Sequence, residues 1–230
     1  MKALTVLQHN SAEYLGLIED HLEGRRIRFN YVRPFTGAVS IPTLDMIPDG
    51  LILLGGGPWG SAGERDLPTL EAEEALVRIC LMANKLVIGF GLGAQIVARA
   101  AGGGSVQTPL ECRIGEGLRA EETALAGYMP AKFAYCRYGR DRALPPEYAR
   151  VLARDERGET LAFQMGDTAF GFEFHPGIKV AMVEDLVMEF EEAAPDVAGS
   201  LSRLRALQRP IEDALVPFMT GLISLTTLMR

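Results

Sequence analysis

Three short blocks carry the residues able to do chemistry. The first, Gly89-Phe-Gly-Leu-Gly-Ala-Gln95, lies between an apolar run and a helical pattern. A strand, a sharp glycine-flanked turn and a helix make a nucleophile elbow, where small neighbours let one side chain stand exposed above a sheet. The residue at the middle of this elbow is Gly91. The second block, Leu53-Leu-Gly-Gly-Gly-Pro-Trp-Gly60, follows an apolar run and offers the backbone N–H groups of Gly55 to Gly57 as donors. The third, Gly171-Phe-Glu-Phe-His-Pro-Gly177, brings His175 and the carboxylate of Glu173. Covalent amide hydrolysis needs a nucleophile, a histidine that moves its proton, a carboxylate that orients the histidine, and donors for the oxyanion. Donors and histidine are present. The elbow has no side chain to attack with.

From Lys85 to Gly103 the elbow resembles that of class I glutamine amidotransferases (the GATase1 domain), G-x-C-x-G-x-Q before a helix ending in Gly-Gly. Their nucleophile is the cysteine at the place of Gly91. The block from Leu53 to Gly60 resembles the family's strand and Gly-Gly-Pro loop, whose backbone N–H helps form the oxyanion hole. The block from Gly171 to Gly177 resembles G-x-Q-F-H-P-E, the source of the catalytic histidine and glutamate. Tyr138-Gly-Arg-Asp-Arg-Ala-Leu-Pro145 matches a loop that often carries a histidine at the place of Tyr138. In order and spacing the resemblance runs from about residue 3 to residue 190.

This resemblance implies that His175 holds the retained triad position, with Gly91 at the nucleophile and Gly177 at the triad glutamate. Glu173 takes the family's glutamine position. Oxyanion-type donors are expected at Gly57 and Leu92, with Gln95, Glu173 and His175 beside them. The expected function is binding or partner regulation without glutaminase activity. A ligand with a carboxylate or amide, and a separate synthetase chain or a homodimer, are the implied partners; no cofactor or metal is implied. Two alternatives stay open. One is an active amidotransferase or γ-glutamyl amide hydrolase using a water-based route, with His175 as base and Glu173 nearby. The other is a dinucleotide binder, because Gly89, Gly91 and Ala94 satisfy G-x-G-x-x-A and Glu111 follows at about the distance of a ribose-binding acid. That fingerprint belongs on the first βα turn, which here is around His9. Under any of these readings a helix start with bare N–H groups favours an anion such as a carboxylate.

Each residue also has a structural reading. His175 can cap a strand end by packing, and His21 reads as a solvated helix residue. His9 follows the first strand at the sheet edge where ligands bind in open α/β folds, and reads as site-adjacent or as a plain loop residue. Gln95 can be an exposed residue of the first helical turn, Trp59 an anchor for its loop, and Cys112 a packed thiol rather than a displaced nucleophile.

The elements that must position these blocks read as an alternation of short apolar runs and helical patterns, the mark of a parallel sheet covered by helices. Strands are expected at Ala3–Leu7, Arg26–Val32, Gly50–Leu54 and Leu86–Gly89, and helices at Glu13–Leu22, Leu67–Asn84 and Ala94–Ala101. From Val106 to about Gly171 shorter strands with turns follow, an antiparallel extension, and beyond Pro176 the chain is helical with breaks near Pro195 and Pro210. The fold class is therefore α/β, a flavodoxin-like, open, mostly parallel sheet with helices on both faces. One domain spans 1–230, with a helical C-terminal extension at about 191–230.

Composition narrows the function. With 230 residues, a net charge of -7 and 23% charged residues, the chain lacks the basic footprint that nucleic-acid binding demands. Three cysteines without a CxxC or His/Cys cluster give no zinc signature. Reduced thiols and the absence of a leader-like start point to the cytoplasm. The apolar stretch Ala214–Met229 is too short for a membrane span.

Overall fold

The computed structural model describes residues 1–37, 40–226 and 228. Its strands are β1 (Ala3–Leu7), β2 (Arg28–Val32), β3 (Gly50–Leu53), β4 (Leu86–Phe90), β5 (Gly104–Val106), β6 (Glu111–Arg119), β7 (Lys132–Gly139), β8 (Arg142–Leu144), β9 (Arg150–Asp155), β10 (Thr160–Met165) and β11 (Ala169–Phe172). The α-helices are α1 (Ile18–Glu23), α2 (Leu70–Met82), α3 (Leu92–Ala100), α4 (Val180–Glu189) and α5 (Val197–Leu225).

Nine strands form one sheet in the order β2-β1-β3-β4-β11-β10-β9-β6-β7. The first five run parallel and the rest antiparallel. Alternation along β3 shows why its sequence is apolar throughout. Leu51 and Leu53 pack with α2 and α3, while Ile52 joins the cluster on the opposite face with α1 and α5. A strand covered on both faces has no polar side to show.

Because β1, β3, β4 and β11 are parallel, the segments that follow them leave the sheet at one edge. That edge therefore receives His9, the glycine loop, Gly91 and His175. Four sequence-distant segments converge for a topological reason alone. The sheet also reverses its direction of build between β1 and β3, a switch point where crevices form in open α/β sheets.

Three expectations change. The helix expected from Glu13 begins only at Ile18, and the segment between β1 and α1 is a loop. The chain does break around Pro195, but Pro210 and Pro217 lie inside α5. Each proline removes one backbone donor from the helical ladder. Packing of Leu215, Phe218 and Leu222 into the main core holds the helix across both. The β5–β8 ribbon, which carries no strong apolar alternation, was not expected. Of the C-terminal stretch, residues 227, 229 and 230 lie outside the described residues. Among the described residues no helix is long and apolar enough to cross a membrane.

Candidate functional site

Gly91 sits at the turn between β4 and α3 with φ 54° and ψ -117°. Its N–H donates to the Phe172 carbonyl of β11 at 2.8 Å, and its carbonyl accepts from Ala94 at 3.0 Å. Few L residues adopt this backbone conformation, and glycine does so without strain. Space is not the restriction: a Cβ built on Gly91 meets only the Gly55 Cα, at 3.4 Å. The elbow is shaped for a side chain and has none.

A carboxylate reaches the surroundings of the elbow from an unexpected place. Glu13, on the β1–α1 loop, is buried, and its Oε2 accepts from the Gly57 N–H at 2.5 Å and from Asn10 Nδ2 at 3.0 Å. Its Oε1 lies so close to Gly55 that a Cβ there would fall 2.0 Å away. Burial pushes the Glu13 pKa up, against the lowering effect of those two donors. The loop is well tied: Asn10 Oδ1 accepts from the Ala12 and Glu13 N–H groups at 3.0 and 2.8 Å. Glu189, at the end of α4, accepts from the Ser11 N–H and hydroxyl and from the Ala12 N–H.

His175 is buried against the Phe90 ring, with centroids 5.4 Å apart. Its Nδ1 accepts from the Gly177 N–H at 3.1 Å, which leaves Nε2 to donate to the Tyr14 carbonyl at 2.8 Å. Burial lowers its pKa to about 4. The ring is thus neutral near pH 7, and neither nitrogen has a lone pair free for a proton. At Gly177 a Cβ would fall within 3 Å of Ile18 Cγ1, Ile18 N and the Leu15 carbonyl. The β1–α1 connection occupies the place where a triad glutamate would begin.

Glu13, Gly55, Phe90, Gly91, Tyr138 and His175 line one cavity of about 10 Å³. That is near the minimum that holds a single water and far below the roughly 300 Å³ at which ligand pockets begin. Among the described residues, this conformation leaves no glutamine-sized hollow beside Gly91.

No family model matches the chain. It is 26% identical over 213 residues to the glutamine amidotransferase-like protein YfeJ of Salmonella typhimurium, covering 86% of this chain and 87% of that one. It is 30% identical over 166 residues to the glutamine-hydrolyzing GMP synthase of Aeropyrum pernix, covering 69% of this chain but only 31% of the synthase. Among solved structures, a glutamine amidotransferase from Thermotoga maritima superposes with a TM-score of 0.80 at 21% identity, over 97% of both chains. One from Methylobacillus flagellatus gives 0.76 at 22%, over 96% of both. The solved structures establish the fold. The two curated relatives indicate a likeness to glutamine amidotransferase-like proteins.

The chain uses its other site candidates to brace loops. Gln95 is buried, with its Oε1 accepting from the Ser61 hydroxyl at 2.6 Å and its Nε2 donating to the Arg140 and Asp141 carbonyls. Its amide is committed to the protein, so it does not reach the cavity. Glu173 borders the cavity, yet its carboxylate turns to Arg137 Nε at 3.0 Å and to the Ala143 N–H at 2.7 Å. It cannot orient His175. Arg140 donates to the Pro58 carbonyl and pairs with Glu192, while Asp141 accepts from the Ser61 and Ala62 N–H groups. Leu92 opens α3, so its N–H is one of the free donors of the helix start, and its side chain lies against Gly56. Cys112 is a buried thiol on β6 outside the cavity. Glu111, the acid of the dinucleotide fingerprint, is bound to Arg113 and Arg137.

His9 is the residue whose setting the sequence did not reveal. Its Nδ1 faces the Gly55 carbonyl at 3.1 Å and its Nε2 faces Glu73 at 2.8 Å, both buried. A carbonyl and a carboxylate opposite the two ring nitrogens favour the protonated ring, paired with Glu73 across the switch point. Burial opposes that charge, but Glu73 and the Gly55 carbonyl outweigh it and hold the pKa above its usual value. The only sequence signal was the position of a histidine directly after β1. His9 also lines an apolar hollow of about 330 Å³ with Phe35, Trp59, Leu67 and Thr69.

Proposed function

We propose that this protein is a glutamine amidotransferase-like subunit that does not hydrolyse glutamine and acts by binding a protein partner. One observation carries the reading: the cavity beside Gly91 has room for one water, and both nitrogens of the histidine that lines it are taken. A water-based route needs a base with a free lone pair and a place for the substrate, and this cavity offers neither. The dinucleotide alternative meets the same volume limit at the elbow. The partner class follows from the relatives. The GMP synthase extends well beyond the region matched by this chain, and solved neighbours include a GMP synthase subunit from Thermoplasma acidophilum and PurLQS from Thermotoga maritima. A synthetase-type chain is therefore the expected partner.

The test is ammonia release from glutamine by the pure protein, alone and with a candidate synthetase chain. Zero turnover in both settings is expected, with complex formation in the second. Sustained ammonia production by the protein alone would overturn the proposal.

A second reading places a small, flat, mostly apolar ligand in the hollow lined by His9 and Trp59. It is favoured by the position of that hollow at the sheet's switch point. Trp59 is the sole tryptophan, so its fluorescence reports occupancy directly. A saturable change with an indole-sized aromatic acid, lost in Phe35→Ala, would support this reading; an unsaturable, linear response would dismiss it.

A further inference from the structure

Two of the three cysteines stand together. In the antiparallel β6–β7 pair Cys112 lies opposite Tyr138 and Ile114 lies opposite Cys136. The two thiols are therefore diagonal neighbours on one face of the sheet. Both belong to the core cluster that includes Leu186 of α4 and Leu204 of α5. The third thiol, Cys80 on α2, sits in a different cluster.

The pair is asymmetric. Cys136 is fully buried, whereas Cys112 keeps 8% of its surface exposed and lines a cleft of about 350 Å³. The arginines of that cleft, Arg113, Arg157 and Arg203, are balanced by Glu111, Asp155 and Glu156. A cleft of balanced charge and this size admits a small neutral oxidant. Cys136 donates its S–H to the Cys112 sulfur, and this bond lowers the Cys112 pKa against the effect of burial, with help from Ser200 and Arg203. The same bond, together with burial, raises the pKa of Cys136. A partly open thiol of lowered pKa beside an arginine is the reactive kind.

We propose that Cys112 and Cys136 form an oxidative modification site that takes a peroxide and closes to a disulfide between β6 and β7. The Cys112 thiolate attacks the peroxide. An S–O bond forms, the O–O bond breaks, and the leaving oxygen takes up the proton that the thiol gave up, departing as water or an alcohol. The Cys136 sulfur then attacks the sulfenic acid. The S–S bond forms, the S–O bond breaks, and the hydroxyl leaves as water with the Cys136 proton. Two electrons pass from the thiol pair to the peroxide. Diagonal neighbours stand about 7–8 Å apart at Cα, a little beyond the usual reach of a disulfide, so closure draws the two strands together. β6 can follow, since its pairing with β9 covers only the far end, Gly117 to Arg119, and β7 is the last strand of the sheet. The movement reaches the candidate site, because the Cys136 carbonyl accepts from the His175 N–H at 3.5 Å. The inference stands apart from the partner reading, since it concerns oxidation and not complex formation.

The test oxidises the native chain with hydrogen peroxide at pH 7, blocks the free thiols and maps all three cysteines by mass spectrometry. Cys112 should appear in a peptide linked to Cys136, two hydrogens lighter than the reduced pair and restored by dithiothreitol. Cys80 is the internal control, because burial pushes its pKa up to about 11. At pH 7 its thiolate population is lower than that of Cys112 by about 100-fold or more, and the weaker nucleophilicity of the more acidic thiol leaves at least about tenfold in rate. Cys136→Ser keeps a hydrogen-bond donor but no second sulfur, so Cys112 should accumulate as a sulfenic acid that dimedone traps. Equal oxidation rates at Cys112 and Cys80 would overturn the proposal. So would a native chain in which Cys112 is oxidised while Cys136 stays free, a result that needs no variant to fold.

Discussion

Placing a nucleophile at the elbow is the sharpest perturbation available. Gly91→Cys places a thiol on a backbone with φ 54° and ψ -117°. Nothing nearby obstructs it, since the new Cβ meets only the Gly55 Cα at ordinary contact distance. The cost is therefore conformational, about 1–3 kcal/mol, which for a chain of this size lowers Tm by about 2–12 °C. Activity should nonetheless stay near background. The thiol would face a histidine whose Nδ1 is held by Gly177 and whose Nε2 is held by Tyr14, with no carboxylate to orient it. In a serine-protease triad the loss of that carboxylate alone costs about 10⁴ in turnover. Here the substrate space is also reduced to about 10 Å³. The assay is ammonia release from glutamine, paired with mass spectrometry after a thiol-directed glutamine analogue. A fast glutaminase, or rapid stoichiometric labelling at residue 91, would show that the β1–α1 loop opens readily and that His175 changes partners. Either result would refute the closed cavity and the held histidine together.

Adding the second missing residue should not help: Gly177→Glu drives its Cβ into the Leu15–Ile18 turn, and overpacking of this kind costs about 1–3 kcal/mol or more. The Gly91→Cys/Gly177→Glu double variant should be less stable than either single variant and still inactive, as denaturant titration and the ammonia assay would show. His175 has a folded pKa of about 4 against about 6.5 unfolded, so the unfolded chain takes up its proton first. Its contribution is present above pH 6.5 and is lost as pH falls toward 4, by at most about 3 kcal/mol; a His175→Gln variant should flatten the stability curve in that window. His9 carries the opposite sign: its raised folded pKa gives stability that is complete below pH 6.5 and fades as pH rises through the folded value. His9→Gln should erase that alkaline loss in urea midpoints measured across the range. Finally, Arg137→Met strands the buried Glu173 carboxylate and should cost about 3–5 kcal/mol, partly recovered by adding Glu173→Gln.

Much of the fold was legible because parallel strands buried on both faces write themselves plainly. The run at Ala3–Leu7 coincides with β1, and β2, β3 and β4 fall within a few residues of the expected strands. Helix termini were less legible. The apolar spacing of Leu15, Leu17, Ile18 and Leu22 reads as one helical face. Yet Leu15 and Leu17 belong to the connection into α1, and Leu15 reaches the same core from an irregular backbone. Periodicity records which side chains are buried, not which backbone carries them. The same limit explains α5, where propensity placed a stop at Pro210 and tertiary packing overrode it.

The site divides along a different line. The positions of Gly91 and His175 at one sheet edge follow from motif order and parallel topology, both readable in one dimension. What those residues can do does not follow, because it depends on who occupies their hydrogen-bonding directions. Gln95 and Glu173 are polar, correctly placed near the edge, and spent on loop carbonyls and on Arg137. Glu13 was invisible for the complementary reason. A lone glutamate in an amphipathic pattern reads as a solvated helix face, and only the fold brings it 44 residues across the chain to the Gly57 N–H. The glycine at the elbow, where the resembling family carries cysteine, is visible as a single letter. The pairing of the Gly57 N–H with the Glu13 carboxylate leaves no motif, since its two halves lie in unrelated segments. Such pairings are found by volume and hydrogen-bond accounting rather than by pattern.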